Sequence, residues 1–253
     1  MNTDVIGVLK PLARRIMWSA ATIDQLAGIA SCDQLSFLAQ AMQTELDNRD
    51  ASRKARYRRQ AGFPVVKGFN DYDWSHVGLP PTLTQEDVTA CSFIKRHENL
   101  VLLGPVGTGK THLATAIGHA ACTLDIPVRY HTVSDLVMKL TDAEHAGTLN
   151  RLIQTINQAS LLILDEFGYV PIDRDAAQLV YKIIADAYET RSVIITTNQA
   201  FSHWGAVLTD DQMAAALIDR IAHHGHLITF TGQSWRMTHA LMATGQTPKG
   251  TRS

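Results

Sequence analysis

Short apolar runs alternate with longer amphipathic segments along most of the chain after residue 84. The runs have the length and β-branched character of buried strands, and the segments between them repeat apolar residues every three or four positions, as helices do. The predicted strands cover residues 100–103, 128–132, 161–164, 193–197 and 227–230. Strands that alternate with helices build a parallel sheet covered on both faces. We therefore predict an α/β domain over residues 84–253 with a five-stranded parallel sheet.

Helices are predicted between these strands. They cover residues 84–97, 110–124, 149–156, 174–190 and 210–222. Thr84 is the expected N-cap of the first of them, because its hydroxyl can accept from a free N–H group of the first turn. Glu86 and Asp87 place acidic residues in that turn, next to the partial positive charge of a helix start. A further helix contains Leu136 and Leu140, and Ser134 is its expected N-cap.

The residues before position 63 show a helical periodicity of their own. Apolar side chains recur at steps of three and four residues at Leu35, Leu38, Ala39, Met42 and Leu46. These side chains lie on one face of a predicted helix, so residues 1–62 are interpreted as a small helical segment. Glycines and prolines interrupt the periodicity in residues 63–83, which are predicted to form a linker that partly packs.

Composition limits the classes of protein that remain. Apolar residues make up 45% of the chain and charged residues 19%, which is the balance of a globular protein and excludes a disordered or fibrous one. Cys32, Cys91 and Cys122 lack the spacing of a disulfide framework or a zinc site and favour a reducing compartment. No apolar run reaches the ~18 residues of a membrane span, and the N-terminus does not resemble a signal peptide. We expect a cytoplasmic protein without a membrane partner.

Basic residues are concentrated in one place, although the net charge of −1 gives no indication of a nucleic-acid partner. Between positions 49 and 59 only Asp50 opposes six basic residues, which are Arg49, Arg53, Lys54, Arg56, Arg58 and Arg59. On a continuous helix Arg49, Arg53 and Arg56 would share one stripe. Two interpretations remain open, a solvated helix face or a surface that contacts the phosphates of double-stranded DNA. Contacts of the second kind would weaken with salt and would not depend on base sequence.

Residues 104–111 carry the strongest chemical signal. Their sequence, GPVGTGKT, satisfies the pattern G-x-x-x-x-G-K-[ST] and lies between a predicted strand and a predicted helix, as that pattern requires. Backbone N–H groups of this phosphate-binding loop and the start of the helix are expected to surround the β-phosphate of ATP. Lys110 is expected to bridge the β- and γ-phosphates, and the Thr111 hydroxyl to hold Mg²⁺. A glycine-rich turn without this function would not explain Lys and Thr in these two places.

The nucleotide-binding prediction includes every residue of the loop and the residue that follows it. These residues are Gly104, Pro105, Val106, Gly107, Thr108, Gly109, Lys110, Thr111 and His112. The loop by itself is compatible with a kinase, a GTPase or a motor protein, so further residues are needed to define the reaction.

Carboxylate and amide side chains follow two other predicted strands. Asp165 and Glu166 end the strand at 161–164, and Asn198 ends the strand at 193–197. After a phosphate-binding loop, Asp165 is expected to bind Mg²⁺, directly or through water, and Glu166 to polarise the attacking water as a general base. Asn198 is expected to contact the γ-phosphate or to orient the same water. The alternative is an asparagine that only closes its strand.

Asp219 and Arg220 lie on the predicted helix before the last strand. Arg220 has two interpretations: an arginine finger that stabilises transition-state charge on a nucleotide held by an adjacent subunit, or one partner of a surface Asp–Arg pair. His223, His224 and His226 follow, but without a carboxylate pattern that would complete a metal site. We attribute them to the favourable position of histidine near a helix C-terminus and expect no metal other than Mg²⁺.

In their order and approximate spacing, these motifs resemble those of AAA+ ATPases, with Asn198 at the sensor-1 position and Arg220 at the arginine-finger position. More narrowly, the chain resembles the IstB-like transposition helper ATPases of insertion sequences, which are similar to DnaC-like helicase loaders. The resemblance rests on residues 56–64, 104–114, 164–169, 195–198, 201–204, 215–220 and 232–236. Arg236 matches the terminal arginine of the G-x-S-[YW]-R-like ending of that family, and the resemblance implies that it contacts the nucleotide.

The resemblance implies a function as well as a fold. In that family the ATP-bound protein oligomerises on duplex DNA, with active sites between subunits, recruits the transposase encoded by the same element and assists target selection. A DnaC-like loader of a replicative helicase is the nearest alternative, because it would share every nucleotide-site residue. A nucleotide-gated binding module without hydrolysis is a third interpretation, which the presence of both Glu166 and Arg220 disfavours.

Overall fold

The computed structural model describes residues 2–70, 72–232 and 234. The chain divides into two compact units, Met1–Arg56 and Tyr57–Ser253. Among the described residues, no helix is both long enough and apolar enough to cross a membrane.

The first unit is built from helices, as predicted. It contains α1 (Asn2–Arg15), α2 (Ala20–Ile29) and the first part of α3 (Cys32–Ala61). The buried residues of its core are Leu9, Leu12, Ala13, Ile23, Leu35, Met42 and Leu46. Leu38 and Ala39 are half-buried against the same cluster. The apolar face that the periodicity predicted for α3 is therefore confirmed.

The second unit is an α/β structure. In chain order it contains β1 (Val77–Gly78), α4 (Gln85–Thr89), α5 (Ser92–Lys95), β2 (Asn99–Leu103), α6 (Lys110–Thr123), β3 (Val128–Thr132), α7 (Val133–His145), α8 (Leu149–Asn157), β4 (Leu161–Phe167), α9 (Arg174–Ala187), β5 (Ser192–Thr197), α10 (Trp204–Leu208), α11 (Asp211–His223) and β6 (Gly225–Phe230). A single 3₁₀ turn, Phe201–His203, precedes α10.

Six strands form one sheet in the order β1-β6-β2-β5-β4-β3. The five longer strands are parallel, as predicted, and β1 adds an antiparallel edge by pairing Val77 with Phe230. The prediction of five strands was wrong by this one. A strand of two residues is too short to show any alternation of apolar and polar positions.

Both faces of the sheet are covered. On one face Leu100, Leu102 and Ile163 belong to a core that includes Leu113 and Ile117 of α6. On the other face a second core joins the sheet to α7, α8, α9 and α11. Burial on both sides explains why residues 100–103, 161–164 and 193–195 are continuous apolar runs rather than alternating ones.

Two predicted helices differ from the structure, one by an interruption and the other in its N-cap residue. Thr84 does cap α4, and it forms a reciprocal capping box with Asp87. The predicted helix 84–97 is nevertheless split into α4 and α5, because Cys91 takes a left-handed conformation with φ of 55°. The cap of α7 is Thr132, whose Oγ1 accepts from Asp135 N at 3.1 Å, and not Ser134. Thr132 ends β3 in an extended conformation, which is the one that an N-cap residue needs.

Residues 63–83, predicted as a linker, contribute structure to the second unit. They include β1, and the side chains of Phe63, Phe69, Tyr72 and Trp74 pack half-buried against the core that contains α6. Aromatic residues at irregular spacing give no helical or strand period, so their packing could not be predicted from the pattern.

Candidate functional site

The phosphate-binding loop connects β2 to α6. Gly107 and Gly109 both have positive φ angles, of 82° and 96°, and Gly109 is the residue that caps the helix. α6 then begins at Lys110, so its first backbone N–H groups, which have no partner within the helix, lie at the end of the loop. A helix start combined with a glycine-rich loop is a site that favours phosphate.

Two of the loop glycines are required by close packing. A Cβ on Gly104 would lie 2.5 Å from the carbonyl oxygen of Phe230, at the end of β6. A Cβ on Gly107 would lie 2.1 Å from Ser234 Oγ. Phe230 and Ser234 therefore press against the loop and leave no room for a side chain at these two positions.

Lys110 lies inside the loop. The residue is only 4% exposed. Its Nζ donates to the carbonyl oxygens of Gly104 and Pro105, both at 2.6 Å. Thr108 Oγ1 donates to the Pro105 oxygen at 2.8 Å. The charged amine is thus held within the loop, at the place where the sequence predicted it to meet phosphate.

Residues before α6 lie over the start of this helix. The Tyr72 hydroxyl donates to Gly109 O at 3.5 Å, and its ring contacts the ring of His112 edge-on, with 5.0 Å between centroids. His112 Nε2 lies 3.1 Å from Gly68 O. Burial raises the pKa of the Tyr72 phenol, which keeps it protonated. Tyr72 was not among the predicted site residues, because no neighbouring residue in the sequence links it to a loop so far along the chain.

The carboxyl ends of three neighbouring strands meet beside this loop. β5 lies between β2 and β4, and the pairing aligns Leu103, Thr197 and Phe167. Asp165 and Glu166 lie at this end of β4, and Asn198 follows β5 as an exposed residue. The structure therefore brings the residues predicted from three separate motifs to one edge of the sheet. The roles predicted for them are not tested by this placement.

Asp165 is buried and is surrounded by hydroxyl groups. Only 2% of the residue is exposed. Oδ1 accepts from Thr111 Oγ1 at 3.0 Å and also from Thr196 Oγ1, and Oδ2 accepts from the Tyr130 hydroxyl at 2.5 Å. Burial, and then the hydrogen bond to Asp165, raise the pKa of the Tyr130 phenol, so it remains a donor. Thr111 and Asp165 together offer the oxygen donors that Mg²⁺ prefers.

Tyr130 and Thr196 were not among the predicted site residues. Tyr130 lies on β3 and Thr196 on β5, the two strands that flank β4 in the sheet. Polar residues inside predicted buried strands are a signal that could have marked both, but the sequence does not show which strands are neighbours.

Glu166 differs sharply from its neighbour Asp165 in environment. It is exposed, and it lies in a bulge where the pairing of β4 with β5 shifts register between Leu164 and Phe167. Its φ is 63°, and its N–H donates to Thr196 Oγ1 at 3.0 Å. Bulges of this kind redirect a side chain near functional sites. The bulge leaves the Glu166 carboxylate accessible to water next to the buried Asp165.

Residues 9–243 match a protein family described as IstB-like ATP binding protein. The chain belongs to this family. A protein of insertion sequence IS21 from Pseudomonas aeruginosa is 35% identical over 202 residues, which are 79% of this chain and 76% of the relative. One of insertion sequence IS232 from Bacillus thuringiensis subsp. berliner is 34% identical over 211 residues, which are 81% and 83% of the two chains.

Solved structures share the fold of this IstB-like protein. The crystal structure of the DnaC helicase loader matches with a TM-score of 0.52 at 19% identity, over 70% of this chain and 99% of that one. The replication initiator DnaA bound to AMPPCP and single-stranded DNA matches with a TM-score of 0.50 at 20% identity, over 58% and 45%. These likenesses show the fold alone. The predicted P-loop AAA+ fold is confirmed.

Arg220 of this IstB-like protein is not brought to the loop of its own chain. It lies near the C-terminal end of α11, and β6 then starts beside the start of β2, where Asn99 N donates to His224 O at 2.7 Å. Arg220 Nη1 donates to Ala216 O at 2.9 Å, and Cζ lies 5.4 Å from the centre of the Tyr181 ring. The loop leaves the other end of β2. An interpretation of Arg220 as a catalytic group within one chain is therefore excluded.

Arg236, predicted to contact the nucleotide, lies outside the described residues. The described residue nearest to it in sequence is Ser234, which packs against Gly107 of the loop.

The basic residues predicted to contact DNA all lie on α3, which is continuous through them. Arg49 Nε pairs with Glu45 at 2.6 Å, and Arg53 Nη2 pairs with Asp50 at 2.8 Å. Glu45 lies outside the run that was counted from the sequence, so the local positive charge is smaller than predicted. Arg56, Arg58 and Arg59 are exposed, and Lys54 is half-buried. Arg49 and Arg53 of the predicted stripe thus have acidic partners on the same helix.

Proposed function

We propose that this protein is a Mg²⁺-dependent ATPase that assembles on duplex DNA and assists the transposase of the same insertion sequence in selecting its target. The observation that carries the proposal is the contact between Thr111 and Asp165 next to the phosphate-binding loop, with Glu166 exposed beside them. This arrangement joins phosphate binding, metal binding and a candidate general base at one edge of the sheet.

Phosphate binding begins with Lys110. Its Nζ donates to two loop carbonyls at 2.6 Å, and we infer that it exchanges these acceptors for β- and γ-phosphate oxygens when ATP binds. Charge-assisted hydrogen bonds to phosphate are stronger than those to neutral carbonyls, so the exchange is favourable. The loop N–H groups and the start of α6 supply the remaining donors.

Thr111 and Asp165 would hold the metal ion. Mg²⁺ at this place would neutralise charge on the β- and γ-phosphates. Tyr130 and Thr196 keep the Asp165 carboxylate oriented, since both of their hydroxyls donate to it. The three hydroxyl donors satisfy both oxygens of this buried carboxylate and fix it beside Thr111, as a metal ligand requires.

Glu166 would accept a proton from the attacking water. Its carboxylate is exposed, whereas that of Asp165 is engaged by hydroxyl groups, so only Glu166 is available to water. In its own chain Arg220 lies at the end of the sheet opposite the loop, so it does not reach the nucleotide bound there. We therefore propose that Arg220 of an adjacent subunit approaches the same phosphates. The proposed active site is thus completed only in an oligomer.

DNA and a transposase are proposed as partners on separate grounds. The relatives from IS21 and IS232 belong to insertion sequences. Exposed arginines at the end of α3 offer phosphate contacts. A loader of a replicative helicase remains the second candidate, because the DnaC helicase loader has the same fold. Reconstitution with each partner separates the two: ATP-dependent stimulation of the transposase supports the proposal, and stimulation of helicase loading alone contradicts it.

The catalytic part of the proposal is tested by ATP turnover with and without duplex DNA. We expect Glu166→Gln to bind ATP normally. Its rate of hydrolysis should fall at least about a hundredfold, as loss of a general base implies. Glu144→Gln, which removes an exposed carboxylate on α7, is the matched control and should keep full turnover. Equal turnover by Glu166→Gln and the native protein would eliminate Glu166 as the base.

A further inference from the structure

Three side chains with metal-binding atoms come together at the edge of the sheet opposite the phosphate-binding loop. Glu189 lies in the turn between α9 and β5, His223 ends α11, and His224 follows it. One ligand atom of each lies within 4.8 Å of those of the other two. His224 Nε2 is 3.5 Å from Glu189 Oε1, and the two imidazole centroids are 4.3 Å apart. The carboxylate that the sequence pattern lacked is therefore supplied by a distant residue.

We propose that Glu189, His223 and His224 bind a divalent transition-metal ion, with Zn²⁺ as the cation that fits them best. Two imidazoles and one carboxylate suit Zn²⁺ and related ions, whereas Mg²⁺ prefers oxygen ligands alone. Three protein ligands leave a coordination position for water. The site is therefore distinct in place and in chemistry from the Mg²⁺ site beside the loop, and it does not depend on the proposed ATPase function.

The surroundings of the cluster hold its members in position. The Tyr188 hydroxyl lies 2.9 Å from His223 Nδ1, and the Tyr188 ring lies 5.9 Å from that of His224. A hydrogen bond to the second ring nitrogen is the usual way in which proteins orient a metal-binding histidine. Glu189 has a positive φ of 56°, so the turn itself places its carboxylate towards the end of α11.

The charges around the cluster permit a cation. Glu189 contributes a carboxylate. Asp219 and Arg220 also lie near the Tyr188 phenol, and their charges are opposite in sign. His226 does not belong to the group. Its Nε2 pairs with Glu98 at 3.2 Å and its Nδ1 lies 3.0 Å from Thr82 Oγ1. The three neighbouring histidines of the sequence thus separate into a metal-binding pair and one residue with other partners.

Metal binding would join the turn before β5 to the C-terminal end of α11. Arg220 lies one turn before His223 on that helix. A bound ion would therefore stabilise the segment that carries Arg220, and we expect Zn²⁺ to raise the melting temperature of the protein.

The test is calorimetric titration of the tag-free protein with Zn²⁺, in the absence of nucleotide. We expect one saturable site, and binding at least about tenfold weaker in the double variant His223→Ala/His224→Ala, since even outer partners of metal ligands contribute about that much. The matched control is His145→Ala/His203→Ala, which removes two exposed histidines elsewhere and should bind as the native protein does. Absence of a saturable site, or equal affinity in both double variants, would overturn the proposal.

Two further measurements test the same site independently of the double histidine variant. Glu189→Gln removes the third ligand without changing a helix and should also weaken binding, so the proposal can be judged even if the double histidine variant fails to fold. Co²⁺ in place of Zn²⁺ should give visible absorption from nitrogen and oxygen ligands. A strong near-ultraviolet band from thiolate ligands would instead assign the metal to cysteine and contradict the proposed site.

Discussion

The Tyr130 hydroxyl donates a hydrogen bond of 2.5 Å to Asp165 Oδ2, from one strand of the sheet to the next. The pairing of β3 with β4 sets Tyr130 opposite Ile163 and Thr132 opposite Asp165, so the phenol reaches along the sheet to the carboxylate. Together with Thr111 and Thr196 it supplies donors to both carboxylate oxygens. The buried charge of Asp165 is stabilised in this way before any metal ion binds.

Replacing Tyr130 by Phe removes this donor and keeps the ring. We expect the free energy of unfolding to fall by about 1–3 kcal/mol, because a buried charged acceptor loses a hydrogen bond. Urea unfolding of the native protein and the variant measures the difference. Tyr181→Phe on α9 removes a hydroxyl away from Asp165 and should change stability less. Equal losses in the two variants would contradict a specific role for the Tyr130 hydroxyl.

Gly107→Ala tests the close approach of the loop to Ser234. Alanine at this position meets both an unfavourable positive φ and a Cβ within 2.1 Å of Ser234 Oγ. We expect ATP binding, measured with a fluorescent nucleotide, to weaken, because the loop must move. Gly147→Ala is a matched control with φ of 67° and no atom within 4 Å of its Cβ. It should lose about 1–2 kcal/mol of stability and keep its ATP affinity.

Arg220→Ala tests whether the active site is shared between subunits. We expect ATP affinity to be kept and turnover to fall about a hundredfold or more, as removal of a donor to transition-state charge implies. Mixing Arg220→Ala with Glu166→Gln should restore part of the turnover, since some interfaces then combine an intact Glu166 with an intact Arg220. Arg151→Ala, an exposed arginine on α8, should behave like the native protein.

The outcome of mixing decides between a shared site and a structural role. If the mixture is no more active than the two variants alone, while both still assemble, Arg220 does not act on a neighbouring subunit. Its contacts with Ala216 and Tyr181 would then be its whole role.

Exposed arginines at the end of α3 are the residues to test for DNA binding. Arg58→Ala/Arg59→Ala should weaken binding to duplexes of any sequence alike and reduce the slope of log affinity against log salt by about two. Arg49→Ala/Arg53→Ala is the comparison, because each of these arginines pairs with an acidic residue in the first unit. Its effect should be smaller. Unchanged affinity and slope for the Arg58 and Arg59 variant would leave this end of α3 a solvated helix face.

The sequence by itself determined the features that depend on contiguous residues. The phosphate-binding loop, the apolar runs of the five longer strands and the Asp165-Glu166 pair are local patterns, because helices, strands and phosphate loops are built from residues close together in the chain. Parallel strands with carboxyl-end side chains also made it predictable that these motifs would meet at one edge of a sheet. The fold class followed from the same alternation.

Only the tertiary structure decided which distant side chains touch. The donors of Tyr130 and Thr196 to Asp165 depend on strand order and register, and the aromatic packing of residues 63–83 depends on surface that exists only once α6 is folded against the sheet. Glu189 joins His223 and His224 because the turn before β5 and the end of α11 reach the same edge. Such contacts are set by packing between elements, whose strength is not encoded in any short stretch of the chain.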